Sequence, residues 1–204
     1  MDRLNLVSVQ GRLTRGRVSI FSVTDFMRIF RILPKTARSF LSYHSREGGQ
    51  FIRVRQGIYV AKFNPPTKFE AANYLFRPSY VSFETALSYY GIIPETIYTI
   101  TSATPKASKE FTFLGQSYRY YKIKKKLLFG HRPIKIGNKL ILMAEREKAL
   151  LDYLYLRLLK KQPFSERLDL KSIDKKRLGK YFNFFKRSIR KNKGLIKLMK
   201  EIGL

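Results

Sequence analysis

The sequence contains no cysteine, which excludes a disulfide framework and any metal site built on thiolates. Histidine is nearly as scarce, and His44 and His131 lie far apart in the chain. No segment approaches the roughly 18 consecutive apolar residues of a membrane span, and the N-terminal segment lacks the apolar run of a signal peptide. We therefore expect a cytoplasmic protein without a membrane partner.

Acidic residues are also few. Aspartate and glutamate together number 14, against 42 lysines and arginines, so the formal net charge is +28. Such a charge attracts polyanions, above all nucleic acids, and the association should weaken steeply as salt rises. Membrane-surface binding is a weaker alternative, because it requires one basic amphipathic helix rather than charge along the whole chain.

The carboxylates are scattered rather than clustered, which argues against an enzyme. A nuclease or nucleotidyltransferase needs grouped carboxylates to hold metal ions, and the sequence shows neither such a group nor a P-loop signature. No histidine lies close to a candidate serine nucleophile. We therefore predict that the protein is not an enzyme and that it holds no cofactor or metal.

The basic residues differ in kind between the two ends of the chain. Residues 1–62 carry 12 basic side chains, of which ten are arginine, whereas residues 156–204 carry 16 and are rich in lysine. The planar fork of arginine suits base edges and phosphates, while lysine acts more as a point charge on the nucleic-acid backbone. This pattern favours an N-terminal segment that recognises nucleic-acid sequence and a C-terminal segment that binds the nucleic-acid backbone.

A domain boundary is indicated at Pro65 and Pro66, which exclude helix and favour an extended connector. The 44% apolar content is sufficient for a packed core. We predict an α+β chain of two domains, at residues 1–64 and 68–204. The second is expected to be a mixed α/β domain with a small antiparallel sheet and basic C-terminal helices.

Two helices are predicted in succession near the N-terminus. Ser22 is placed as the N-cap of the first and Asp25 as its capping-box partner, with Phe21 and Phe26 at the hydrophobic-staple positions. After a short turn, Pro34 stands at the first position of the second helix, where no amide hydrogen bond is needed.

The second helix has two distinct faces. Apolar residues recur at spacings of three and four and predict the core face: Leu33, Ala37, Phe40, Leu41 and His44. The opposite face alternates short hydroxyls with long cations: Lys35, Thr36, Arg38, Ser39, Ser42 and Arg46. Side chains of these types can reach phosphates and base edges.

Two short strands follow, joined at Arg55, Gln56 and Gly57, and predict a tight hairpin. Helix, turn, polar helix and basic hairpin is the order of a winged helix-turn-helix domain, with the second helix in the major groove and the wing on the backbone. The alternative is a small helical domain whose solvated face is basic by chance. The predicted DNA-binding residues are Lys35, Thr36, Arg38, Ser39, Ser42, Tyr43, Arg46, Arg53, Arg55 and Gln56.

The larger C-terminal part predicts a helix capped at Ser82, a strand, and hairpins turning at Gly115 and at Gly137 and Asn138. A long, mostly apolar helix follows. Its acidic residues Glu145, Glu147 and Asp152 are interpreted as offsetting the helix dipole.

The final helices carry an apolar stripe and a basic side. The basic side offers secondary phosphate contacts, although an ordinary solvated face is an equally good interpretation. The predicted secondary contacts are Lys175, Lys176, Lys180, Arg187, Arg190 and Lys191.

The order of three motifs resembles the AbiEi-type antitoxins, which are bacterial transcriptional regulators of the AbiE abortive-infection (phage defence) and type IV toxin-antitoxin systems. The motifs are the segment ending RQGIYVAK, then PSYVSFETALSYYGII, and then AEREKALLDYL, within residues 20–155. By this resemblance the recognition helix is Pro34 to Tyr43 and the wing is Phe51 to Ala61.

The resemblance implies a nucleoid-associated autorepressor with an N-terminal winged helix and a C-terminal antitoxin domain. Its partners would be double-stranded operator DNA, with inverted repeats upstream of its own operon, and a nucleotidyltransferase-like toxin that is neutralised without the need for a stable complex. The lysine-rich C-terminus departs from the family pattern and leaves open whether the antitoxin domain also binds nucleic acid.

Two alternatives from other classes remain. An RNA-binding or ribosome-associated basic protein would carry the same charge, although no RNP-like aromatic motif or GXXG loop stands in the right setting. A metal-dependent nuclease is the other alternative.

Overall fold

A computed structural model describes residues 4–163, 167–189, 192–201 and 203. Within these residues the chain is a mixed α+β protein with eight α-helices and nine strands in two sheets. The chain divides into two compact units, Met1–Leu75 and Phe76–Leu204. No helix in the described part of the chain is long and apolar enough to cross a membrane.

The first unit surrounds a three-stranded antiparallel sheet of order β1-β3-β2. Its core is aromatic: the rings of Phe21 and Phe26 stack at 5.5 Å, and Phe51 meets Phe21 edge-on at 5.8 Å. The elements are α1 (Leu6–Arg15), β1 (Ile20–Ser22), α2 (Val23–Phe30), α3 (Pro34–Tyr43), β2 (Phe51–Arg55), β3 (Ile58–Ala61) and α4 (Lys68–Leu75).

The start of α2 confirms the predicted capping box. The Asp25 amide donates to Ser22 Oγ at 3.0 Å, and the Ser22 amide donates to Asp25 Oδ2 at 2.9 Å. Two amides that the helix cannot satisfy internally are thereby paired. The stacked pair of Phe21 and Phe26 occupies the staple positions next to this cap.

The inner side of α3 agrees with the predicted periodicity except at its first residue. Ala37 and Leu41 are fully buried, and Phe40 packs against the core. Leu33, predicted to face the core, is 74% exposed. Leu33 is the N-cap, with an extended backbone of φ −71° and ψ 154°, so it does not follow the helical spacing on which the prediction rested.

The end of the first unit differs from the predicted boundary at residues 64–68. Helix α4 belongs to this unit, and it contacts β1. Ala71, Ala72 and Leu75 on α4 are buried. Because the helix buries this apolar side, the unit continues beyond Pro65 and Pro66.

The second unit is built on a six-stranded sheet of order β6-β7-β5-β4-β9-β8. The prediction of a small antiparallel sheet in this unit was wrong. The sheet has six strands and is mixed, because β5 pairs with β7, and β4 with β9, in parallel. The elements are β4 (Tyr80–Val81), α5 (Phe83–Tyr89), β5 (Thr99–Thr104), β6 (Lys109–Phe113), β7 (Gln116–Lys122), a 3₁₀ turn (Lys125–Leu127), β8 (His131–Ile136), β9 (Lys139–Ala144), α6 (Arg146–Lys160), α7 (Lys175–Ser188) and α8 (Asn192–Glu201).

Helix α6 is the centre of the second unit and packs against α5, α7 and α8. The apolar pattern of this helix predicts five core residues. Ala149, Leu150, Leu151 and Leu154 are fully buried, whereas Leu158 is only partly buried. The hairpins predicted to turn at Gly115 and Gly137 are confirmed, with φ of +72° and +56° at these glycines.

Candidate nucleic-acid interface

The outer side of α3 and the turn after it form a continuous polar surface, which we call the α3 face. Its inner side is fixed by the buried Ala37 and Leu41, so the intervening side chains project outward. Every residue predicted for this surface is exposed. The α3 face consists of Lys35, Thr36, Arg38, Ser39, Ser42, Tyr43 and Arg46.

No carboxylate in the described part of the chain forms an ion pair with the cations of the α3 face. Among the residues that the structure describes, neither Lys35 nor Arg38 has an ion pair or side-chain hydrogen bond. Arg46 lies over the ring of Tyr43, with its guanidinium carbon 5.5 Å from the ring centroid. Unpaired cations beside hydroxyls leave a positive surface that can donate hydrogen bonds to an anionic partner.

The hairpin of β2 and β3 carries the remaining predicted residues. Arg53, Arg55 and Gln56 are all exposed. The pairing of β2 with β3 shifts register between Arg53 and Arg55, and Gly57 completes the turn with φ +75°. A positive φ is available to glycine without strain, which explains its place in this turn.

Backbone contacts tie this hairpin to the helices. The Val23 amide, at the start of α2, donates to the Gly57 carbonyl at 3.0 Å. At the other end, the Phe51 amide donates to the His44 carbonyl, which caps α3, at 3.1 Å. The helices that carry the α3 face and the hairpin are therefore joined to each other around the aromatic core.

The predicted secondary contacts lie in the second unit. Lys175, Lys176, Lys180 and Arg187 are exposed on α7, while Leu178 and Phe185 of the same helix are buried. The division between apolar stripe and basic side is confirmed for these four residues. Arg190 and Lys191 lie outside the described residues.

Sequence reasoning missed a buried polar network in the second unit, which we call the Lys148 network: Tyr80, Ser82, Lys148 and Asp152. Lys148 Nζ donates to the Tyr80 hydroxyl at 2.8 Å and pairs with Asp152. The hydroxyls of Tyr80 and Ser82 donate to Asp152 Oδ2 at 2.9 and 2.8 Å. All four side chains are almost wholly buried.

Burial shifts the pKa values of two members of this network. It lowers the pKa of Lys148, with the charge of Asp152 acting in the opposite direction. It raises the pKa of Tyr80 well above its usual value, and the charge and hydrogen bond of Asp152 act in the same direction. The hydrogen bonds of this buried network join β4 and the residue after it to α6.

The interpretation of Asp152 as a dipole-offsetting residue was therefore wrong, because Asp152 lies in the second turn of α6 and its carboxylate is fully paired inside the unit. Glu147 is also buried, and it accepts the Asp174 amide at 2.9 Å. Glu145 accepts the Tyr181 hydroxyl. A sequence signal existed: Lys148 and Asp152 are spaced four residues apart inside a helix that is apolar nearly all round.

No group of three or more histidine, aspartate and glutamate side chains that could hold a metal ion occurs in the described ranges. Comparison of the chain with family models finds none that matches, and comparison with curated proteins finds none that matches either.

Proposed function

We propose that the first unit is a winged helix-turn-helix domain that binds double-stranded DNA. In this proposal α2 and α3 form the helix-turn-helix, α3 enters the major groove, and the β2–β3 hairpin is the wing. The observation that carries the proposal is the α3 face itself. Lys35 and Arg38 stand exposed between hydroxyls, with no carboxylate partner in the described part of the chain.

The positions of the side chains suggest their roles. Lys35 and Arg38 lie in the first half of α3, the part of a recognition helix that contacts base edges, and Ser39 follows directly. An arginine there can donate two parallel hydrogen bonds to a guanine. We assign phosphate contacts to residues outside the first half of α3. These are Ser42 and Arg46, together with Arg53 and Arg55 of the hairpin.

The biological role follows from the resemblance to the AbiEi-type antitoxins. We propose that the chain represses its own operon by binding inverted repeats upstream of it, and that it counteracts a nucleotidyltransferase-like toxin encoded with it. The second unit would then be the antitoxin domain, and the exposed cations of α7 would provide secondary contacts to phosphates.

The binding proposal is tested by fluorescence anisotropy of the full chain over a salt series. The probes are the duplex from upstream of its own gene, a scrambled duplex and a structured RNA. Preference for the upstream duplex that persists at high salt supports the proposal. Equal binding to all three probes, lost together as salt rises, overturns it in favour of a general RNA-binding or ribosome-associated protein.

A matched pair of double variants separates the α3 face from the overall charge. Lys35→Ala/Arg38→Ala and Lys122→Ala/Lys135→Ala each remove two exposed cations. The first pair should abolish preference for the upstream duplex, whereas the second should leave it intact. In cells, a reporter driven by the upstream region should lose repression only with the first variant, while protection against the toxin should persist in both.

A further inference from the structure

A cavity of about 430 Å³ lies in the second unit, where the C-terminal turn of α6 approaches the sheet. Thr101 of β5 pairs in register with Arg119 of β7, and Tyr121 lies two residues further along the same strand. Residues two apart on a strand face the same side, so Thr101, Arg119 and Tyr121 line one wall. Arg157 and Lys160 of α6 line the other.

The lining of this cavity is cationic. Of the described residues that line it, three carry positive charge, namely Arg119, Arg157 and Lys160, and one, Glu84, carries a carboxylate. That carboxylate is already paired, since it lies 2.9 Å from a terminal nitrogen of Arg157. Arg119 is paired with Glu110, which is outside the lining, at 2.6 Å.

Lys160 is the cation that remains for a ligand. In the portion of the chain described, it has no carboxylate partner, and its ammonium group lies 4.1 Å from the centroid of the Tyr121 ring. The hydroxyls of Thr96 and Thr99 line the same cavity. An ammonium group in a cavity that also carries hydroxyl donors is suited to a phosphate.

Aromatic rings accompany these charges. Tyr98 lies at the cavity and is 84% exposed, so its ring is accessible to a partner. Planar bases stack on exposed aromatic side chains. The volume of the cavity falls within the roughly 300–1,000 Å³ of small-molecule sites.

We propose that this cavity binds a nucleoside monophosphate, with its phosphate at Lys160 and its base against Tyr98. The site lies wholly within the second unit and does not depend on the α3 face, so it stands or falls separately from the DNA-binding function. It would make the second unit responsive to a small nucleotide.

The test uses isothermal titration calorimetry of the full chain with adenosine and uridine monophosphates, ribose 5-phosphate and inorganic phosphate. Because the chain is highly charged, a variant matched in charge is essential. Lys160→Gln and Lys161→Gln each remove one positive charge from neighbouring residues, but only Lys160 is in the cavity lining. Tyr98→Ala removes an exposed ring without opening the core.

We expect saturable binding of the nucleotides that is tighter than that of either phosphate without a base. Lys160→Gln should weaken it about tenfold, as expected for a lost charged hydrogen bond, while Lys161→Gln should change it less than about twofold. Tyr98→Ala should weaken nucleotide binding but not phosphate binding.

Three results would overturn the proposal. The first is absence of saturable binding. The second is equal losses in Lys160→Gln and Lys161→Gln, which would indicate a general charge effect. The third is loss of nucleotide binding in Arg38→Ala, which would move the nucleotide to the α3 face.

Discussion

Lys148 and Asp152 lie one turn apart on α6 and form an ion pair in which neither side chain has any exposed surface. Removing both charges from water is costly, and hydrogen bonds with the hydroxyls of Tyr80 and Ser82 offset part of this cost. We therefore expect the buried ion pair to be tolerated only while all of its hydrogen-bonding partners are present.

Replacing Lys148 alone should destabilise the protein strongly. Lys148→Met leaves the carboxylate of Asp152 buried without its cation, and we expect a loss of about 3–5 kcal/mol in the free energy of unfolding. Urea titration followed by circular dichroism measures this. Lys180→Met, the same change at an exposed helical lysine, should alter stability by less than about 0.5 kcal/mol.

The double variant Lys148→Met/Asp152→Leu tests whether the two charges act as a pair. It should lose less stability than the sum of the single changes, because the second substitution removes the unpaired charge. Strict additivity would show that the two residues stabilise the fold independently.

The pH dependence of stability should contain a contribution from His131. Its ring stacks on Tyr80 at 4.3 Å with an interplanar angle of 7°. Burial lowers the pKa of His131 below its ordinary 6.5; the charge of Lys148 acts in the same direction, and the Phe129 backbone, Asp152 and Glu145 offset part of the shift. The unfolded chain then binds the proton more readily, so this contribution is present above pH 6.5 and is lost as the pH falls below it.

We therefore expect the free energy of unfolding to decrease between about pH 7.5 and 5.5. His131→Phe keeps an aromatic ring on Tyr80 and should reduce this decrease, as measured by urea titration at each pH. His44→Phe, which removes the other histidine, serves as the control and should retain it. An unchanged slope in His131→Phe would exclude His131 as its origin.

Arginines of the α3 face and of the hairpin should differ in their effect on DNA binding. Arg38→Ala should reduce preference for the upstream duplex, because it removes a donor to base edges. Arg55→Ala should weaken all duplexes similarly and lower the salt slope by about one unit. Anisotropy titrations on upstream and scrambled duplexes measure both, with Arg15→Ala on α1 as a charge control. Equal losses on the two duplexes for Arg38→Ala would remove it from base recognition.

Replacement of glycine by alanine should change the free energy of unfolding in opposite directions at two positions of the first unit. Gly57 has φ +75°, so Gly57→Ala forces a side chain into the left-handed region and should cost about 1 kcal/mol. Gly11 is exposed inside α1, and an added Cβ there would meet nothing within 4 Å. Gly11→Ala should therefore stabilise the protein by about 0.5–1 kcal/mol. Thermal unfolding measures both, and a shift in the same direction would contradict the assigned turn.

The features that sequence predicted correctly are local ones. The capping box of Ser22 and Asp25, the start of α3 at Pro34 and the turns at Gly57 and Gly115 each depend on a few neighbouring residues. The exposure of the α3 face was predicted for the same reason, because helical periodicity separates it from Ala37 and Leu41.

The features that were missed depend on distant partners. β1 and β4 have three and two residues, too few for a strand pattern, and exist because β3, β5 and β9 pair with them. The burial of Lys148 and Asp152 likewise depends on Tyr80 and Ser82, about 70 positions away. A short stretch of sequence contains either Tyr80 and Ser82 or Lys148 and Asp152, so local patterns cannot reveal the network.

We expect the six-stranded sheet to separate at β4 when it unfolds, because this strand has only two residues. β4 stands between β5 and β9, and only Tyr80 and Val81 supply its ladder within the described residues. Tyr80 is at the same time a member of the Lys148 network. This junction of the sheet is thus held by side chains as well as by its ladder. We expect the ribbon β6-β7-β5 and the hairpin β8–β9 to unfold as separate cooperative units once those side-chain contacts are lost.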